Sequence, residues 1–318
     1  TGKPATRNVT IPDWLGQSLA QENLNSDRTR GFDLTVRHHN HFGDFLYGIT
    51  GNMAFSRMMN RYVEHTDYGT QYLNWRNNST NRYNDIWWGY DYAGQFNDLY
   101  EIWDAPIMDN LGNSQLKPGD YCYEDWNGDG VIDENDLHPI KYGAQTSPVL
   151  YYGLTLDLSW KGIDLTAVFQ GGAFNNVKYD WYLSTPFIYD KNGPDFFFDR
   201  WHMEDASADP LDPRTKWVRG YLPTTSQGSN AMSLNTSTSA ASLHEASYIR
   251  LKSLELGYTL PKKWVQKVNA SSVRVFTNAY NLLTCTGLKY LDPEHPSSGY
   301  GTTYPLICTV NFGVNIKF

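Results

Sequence analysis

Residues 152–171, YGLTLDLSWKGIDLTAVFQG, restrict this chain more than any other stretch. Tyr152, Leu154, Leu156, Leu158 and Trp160 share one parity, and Gly153, Thr155, Asp157 and Ser159 share the other. That is the period-two alternation of a strand with one apolar and one polar face. Beyond a short turn at Lys161 and Gly162 the pattern resumes, with Ile163, Leu165, Ala167 and Phe169 set against Asp164, Thr166 and Gln170. The stretch is a hairpin. Such a ribbon suits either a soluble sandwich, where the apolar parity meets a core, or a membrane barrel, where it meets lipid while the polar parity lines a wet lumen.

Composition narrows the choice. Mean hydropathy is −0.55, and no run approaches the roughly 18 apolar residues of a membrane helix, so any crossing must use strands of about 9 to 11 residues. Aromatics form 15% of the 318 residues, an excess that suits interfacial girdles or binding surfaces. The net charge is −8 without a Lys/Arg block, which argues against nucleic acid as a partner. Cys122, Cys285 and Cys308 show no metal spacing, and their odd number excludes a purely intrachain disulfide framework. A Cys285–Cys308 bridge is open, with buried or idle thiols the expectation. The opening TGKPATRNVTIPDWLG lacks the charged start and apolar core of a signal peptide. The expectation is a removed signal or a chain that begins inside a longer protein.

The same alternation returns along the sequence. Phe32, Leu34 and Val36 oppose Asp33, Thr35 and Arg37. After a turn at HNHFGD, Phe45, Tyr47, Ile49, Met53 and Phe55 oppose Gly48, Thr50, Asn52 and Ser56. Leu254, Leu256, Tyr258 and Leu260 alternate with Ser253, Glu255, Gly257 and Thr259, and SVRVFTNAYNLL follows with a less regular parity. The end is the strictest strand, with Leu306, Cys308, Val310, Phe312, Val314, Ile316 and Phe318 on one parity. Seven long strands are predicted, with tight connections after His38, Trp160 and Pro261 and long ones after Ser56, Gly171 and Leu283. His38, His39 and His41 then fall in the first turn, as solvated or girdle residues rather than metal ligands. Arg250 and Lys252 share the parity of Leu254, which predicts a bulge or a strand end beyond the apolar zone. Residues 1–30 and 173–246 read as loop.

Residues 60–147 form a long insertion rich in Tyr, Trp, Asn and Asp. Trp87, Trp88, Tyr90 and Tyr92 are candidates to touch substrate or a lid protein, with packing of the insertion against itself as an equal alternative. Within residues 125–136, Asp125, Asn127, Asp129, Gly130, Val131, Asp133 and Asp136 match positions 1, 3, 5, 6, 7, 9 and 12 of an EF-hand-type calcium loop. Oxygens at alternate positions wrap a hard cation, the Val131 carbonyl is the backbone ligand, and Gly130 supplies the turn. Asp136 stands where Glu is usual, a carbon shorter. An Asx-rich turn without metal is the competing reading. No amphipathic helix pair flanks the loop, so a structural calcium clip is expected rather than a sensor.

Read in order, GDYCYEDWNGDGVIDENDLHPI, YYGLTLDLSWKGIDLTAVFQGG, ASYIRLKSLELGYTLPKKW, VRVFTNAYNLLT and VNFGVNIKF resemble the C-terminal third of SusC/RagA-type TonB-dependent transporters of Bacteroidetes outer membranes. The resemblance covers most of residues 30–318. It implies an all-β fold, about seven strands of a large antiparallel transmembrane barrel with long extracellular loops, residues 60–147 among them. It further implies a lipid bilayer around the barrel, a SusD-like lipoprotein lid, a plug and TonB box elsewhere in the protein, and import of oligosaccharides or peptides. Phe318 resembles the terminal signal for barrel assembly. Short turns are periplasmic and long loops extracellular in such barrels, which puts the chain's start outside the cell and its end in the periplasm. Because seven is odd and single-chain bacterial barrels use even numbers, the remaining strands are expected from a preceding segment.

The polar-parity residues Asp157, Asp164, Asn311 and Asn315 are expected to hydrate or brace a lumen rather than grip one ligand. A different class, a secreted calcium-dependent carbohydrate-binding or adhesion domain, would need a soluble core over the apolar parities. An enzyme is not expected, since no nucleophile, zinc or phosphate-loop motif is present.

Overall fold

The computed structural model describes residues 25–65, 67–109, 111–144, 147–179, 181–185, 192–225, 234–294 and 306–318. Most of the predicted loop at residues 1–30 lies outside them. Strand β1 (Ser26–Phe42) turns through Gly43 and Asp44 into β2 (Phe45–Tyr62). The alternation therefore continues through the histidines. His38, His39 and His41 are strand residues paired with Ile49, Gly48 and Leu46, not turn residues. The turn needs only Gly43, at φ +60, because a two-residue hairpin loop requires a left-handed position that glycine adopts without strain.

The insertion follows, with helix α1 (Gln71–Asn77), strands β3 (Arg82–Tyr83), β4 (Ile86–Gly89) and β5 (Tyr92–Gln95), helix α2 (Leu99–Asp104), and strands β6 (Tyr121–Tyr123) and β7 (His138–Tyr142). The central hairpin is β8 (Leu150–Trp160) and β9 (Ile163–Ala173). A second long connection carries β10 (Asn176–Lys178), β11 (His202–Met203), β12 (Trp217–Val218) and β13 (Leu243–Glu245). The chain closes with β14 (Tyr248–Thr259), β15 (Ser272–Thr286) and β16 (Thr309–Lys317). What reads as loop in sequence thus contains short strands and helices. They are too brief to show a period.

The long strands form one antiparallel sheet in the order β1-β2-β8-β9-β14-β15-β16, with β3 added to β2. The seven predicted long strands are its members, and consecutive long strands are neighbours throughout. Register carries the alternation across the sheet. Ile49, Leu156, Ala167, Leu254, Ala279 and Val310 form one cross-strand row, and Tyr47, Leu158, Leu165, Leu256, Thr277 and Phe312 another. Gly48, Asp157, Thr166, Glu255, Asn278 and Asn311 form a row on the opposite face. A one-residue slip anywhere would mix the two faces.

The Arg250/Lys252 irregularity is a bulge. The register of β14 shifts between Leu251 and Ser253 against both β9 and β15. Lys252 is the extra residue, so Leu251 opposes Phe169 on the apolar face and Arg250 opposes Gln170 on the polar one.

The apolar face meets no interior. Leu154 is 37% exposed, Val310 51% and Phe312 85%. The buried apolar cluster lies instead in the insertion, in Phe96, Leu99, Ile102, Met108, Leu116, Tyr121, Tyr123 and Ile132. Asp98 nucleates part of it by capping α2, accepting bonds from the Tyr100 and Glu101 amides. Leu99 and Ile102, three residues apart, then point to one side. The three cysteines are free, and Cys285 and Cys308 are exposed rather than buried.

Candidate functional site

Two parts of the structure hold the predicted site residues: the polar face of the sheet and the insertion. On the polar face, Arg274 of β15 lies over the neighbouring strands, bonding Asp164 of β9 and Glu255 of β14, the latter at 2.6 Å. Gly257 makes room, since a Cβ there would fall 2.4 Å from the Arg274 guanidinium. Asp157 accepts a bond from the Thr166 hydroxyl at 2.9 Å, and the Asn311 amide donates to Asn278 at 3.0 Å. The Asp157 and Asn311 bonds join adjacent strands and the Arg274–Asp164 bond reaches across β14, so Asp157, Asp164 and Asn311 brace the wall and remain available to water.

The insertion is fastened to β2 by Arg57, whose guanidinium makes two bonds to Asp85 at 2.7 and 2.8 Å. Asp85 is fully buried and Arg57 lies 3.9 Å over the Tyr83 ring. A buried carboxylate needs such a cation or a set of hydrogen-bond donors. Asp120, also fully buried, accepts from the Lys117 amide, the Thr224 hydroxyl and the Asn235 side chain. Burial pushes its carboxyl up. The last two bonds come from the second long connection, as does Trp201, which packs where a Cβ on Gly119 would sit. The two long connections therefore share one packed body. Neither clamp announces itself in sequence, where Arg57 and Asp85 are 28 residues apart and Asp120 and Thr224 are 104 apart.

Trp87, Trp88, Tyr90 and Tyr92 all lie in this body, half-buried. The Trp87 indole donates to the Asn176 carbonyl at 3.0 Å. Trp88 meets Trp75 edge-on at 5.5 Å with Arg82 over its face, Tyr90 packs on Tyr123 and Tyr92 on Tyr121. Their contacts in the structure are with the insertion and its neighbours. More open aromatics lie elsewhere, at Tyr100, Trp103, Phe198, Tyr221 and Tyr290.

The acidic loop is folded tightly. Gly128 and Gly130 take φ +75 and +85. Asp125 accepts bonds from the Gly128, Asp129 and Gly130 amides. Asp136, 1% exposed, accepts from the amides of Trp126, Asn127 and Asp133. Ile132 enters the insertion core, and its amide bonds the Ile107 carbonyl at 2.8 Å. The donor set is all oxygen and suits a hard cation, but its carboxylates are turned onto backbone amides. Among the described residues no three Asp, Glu, His or Cys groups converge as a metal site.

No family model matches the chain. It is 23% identical, over 97% of its length, to TonB-dependent receptor P3 of Formosa agariphila, of which the match spans 30%. It is 26% identical, over 64% of its length, to TonB-dependent receptor SusC of Bacteroides thetaiotaomicron, of which the match spans 18%. The chain thus spans less than a third of the length of these relatives. Its fold is similar to that of a solved RagAB peptide transporter, with a TM-score of 0.65 and 20% identity over 98% of this chain and 31% of that one. A RagAB peptide importer in an open-open state gives a TM-score of 0.67 at the same identity. The register-matched sheet and these relatives agree in one respect: the chain is similar in sequence to a portion of TonB-dependent receptors and in fold to a portion of the RagAB transporter.

Proposed function

We propose that this chain forms part of the barrel wall and external loops of an outer membrane importer that takes up oligosaccharides or peptides, with TonB engaged through another region and a SusD-like lipoprotein as lid. One observation carries the reading: a seven-strand antiparallel sheet presents an exposed apolar face opposite a hydrogen-bonded polar one. Acyl chains suit the first face and a wet passage the second. The strands of β1 and β2, at 17 and 18 residues, exceed the roughly 9 to 11 that cross the hydrocarbon, so part of each stands outside it. With long connections outward, residues 63–149 are extracellular and Phe318 periplasmic. The chain breaks no bond of its cargo.

The importer reading is tested in cells. Uptake of the growth substrate should stop when TonB or the proton gradient is removed, and the protein should leave the outer membrane only with detergent. Extraction by salt alone would sink the proposal.

We further propose that Asp125, Asn127, Asp129, Asp133, Asp136 and the Val131 carbonyl hold a structural calcium ion. Its positive charge would offset the five carboxylates crowded into residues 125–136 and pin Ile132 in the core. Calcium titration of the purified protein should raise its melting temperature, and magnesium should do so less.

A further inference from the structure

A cleft of about 430 Å³ has Tyr179, Phe196, Asp199, Tyr221, His244 and Tyr290 among its lining residues. Its size lies in the range of small-ligand pockets. Two ring stacks build it, Tyr179 on His244 at 3.9 Å and Phe196 on Tyr290 at 4.2 Å. Tyr290 is nevertheless 55% exposed, and Tyr221, also in the wall, is 70% exposed.

Tyr290 has φ +66, a left-handed conformation that is costly for a bulky side chain and persists only where its surroundings impose it. Those surroundings are visible on both sides. The Tyr179 hydroxyl, its pKa pushed up to about 12 by burial, donates to the Lys289 carbonyl at 2.6 Å. Leu288 is buried against Val177 and Ala246. Two residues beyond Tyr290, Asp292 pairs at 2.7 Å with Arg250, which is 3% exposed. Lys252 reaches Glu294 at 2.7 Å. The bulge in β14 thus places two cations of one strand on the loop that presents the ring. A ring held this way loses little freedom when a ligand arrives.

The rim decides the ligand. Asn235 is committed to the Tyr121 amide and Asp120, and Ser242 to Ser239. Among the described residues, the Lys289 ammonium and the second carboxylate oxygen of Asp199 make no bond, the first oxygen accepting from the Tyr221 amide. Lys178, also in the wall, is held by the Thr238 hydroxyl. A flat apolar ring with Lys289 and Asp199 beside it complements a pyranose, whose C–H face is apolar and whose hydroxyl rim both donates and accepts. A peptide added to a strand edge would draw on backbone groups instead.

We propose that this cleft is a carbohydrate site in which a sugar ring of an oligosaccharide stacks on Tyr290, with Lys289 and Asp199 on its hydroxyls and Arg250 as a positioning residue. The proposal rests on the importer reading, since it assigns the cargo class of that protein. The test uses the intact transporter purified in detergent, titrated calorimetrically with short gluco-, manno-, xylo- and uronate-bearing oligosaccharides and with tripeptides. At least one oligosaccharide should bind, and Tyr290→Gly and Tyr221→Ala should each weaken it, the former by about tenfold. Glycine accepts φ +66, so Tyr290→Gly should keep or raise the melting temperature while binding falls, which separates loss of the site from loss of the fold. Arg250→Ala should weaken binding with Tyr290 intact. Oligosaccharide affinity unchanged in both tyrosine variants, no saccharide binding at all, or a tripeptide signal lost in the same variants would overturn the site. TonB-dependent uptake that survives those results leaves the importer reading standing, whereas TonB-independent uptake removes that reading whatever the cleft binds.

Discussion

The long sheet and the body built on its two long connections place their apolar side chains in opposite ways. In the sheet, Val310 and Phe312 lie on a face with nothing over it. In the insertion, Ile102 and Tyr123 are 1% exposed and even the carboxylates of Asp85 and Asp120 are sealed in with partners. One chain is thus built for two surroundings. The sheet needs an apolar medium outside it, while the insertion carries its own core and folds as a water-facing body.

Substitutions can break or sharpen that contrast. The largest loss is expected from Arg57→Ala, which leaves Asp85 buried without its cation, at a cost of about 3 to 5 kcal/mol. Hydrogen exchange should show residues 82–89 and 138–144 opening while the β8–β9 hairpin stays protected. Next, Ile102→Ala should cost about 2 to 5 kcal/mol as an unfilled core cavity. Leu154→Ala, the matched truncation on the sheet face, should cost well under half as much in detergent. Equal losses would mean that the sheet face is a core after all.

Charge gives the third test. Leu156→Arg near the middle of β8 should cost about 2 to 4 kcal/mol in a bilayer, read as failure to resist heating in a folded-band gel assay. Thr155→Arg, one residue away on the polar face, should leave that band intact. A smaller effect is expected at the acidic loop. At calcium tenfold above its dissociation constant the stabilisation is about 1.4 kcal/mol, and Asp125→Ala should abolish the shift in melting temperature caused by chelator.

The smallest concerns Asp120. Its raised folded pKa means that the charged carboxylate opposes folding, fully so above that pKa, and that this penalty fades as pH falls toward the unfolded value. The insertion of the wild type should therefore gain stability on mild acidification relative to Asp120→Asn, measured as the difference between the two melting curves. No difference in slope would place Asp120 in contact with water.

Much of the sheet was legible residue by residue. Leu154, Leu156 and Leu158 announce a face because a strand sends alternate side chains to opposite sides, a rule that acts over two residues and needs no knowledge of the rest of the chain. The irregularity at Arg250 and Lys252 was also visible, though not whether it was a bulge. The histidines were misplaced because HNHFGD carries turn-forming residues, and pairing with β2 outweighs that local preference.

The insertion was legible only in its motif. Asp125 to Asp136 announce a tight oxygen-lined loop through spacing, and Asp98 with Leu99 and Ile102 held a signal for α2 that a capping rule could have found. By itself, then, the sequence determined strand number, facing and neighbour order, because these follow from short-range periodicity and connection length. Only the tertiary structure decided that Arg57 clamps Asp85, that Thr224 and Asn235 reach Asp120, and that Tyr290 is held open over a cleft. Those pairs join positions 28 to 115 residues apart, and the energy of a buried charge or a strained ring depends on what surrounds it in space rather than on what precedes it in the chain.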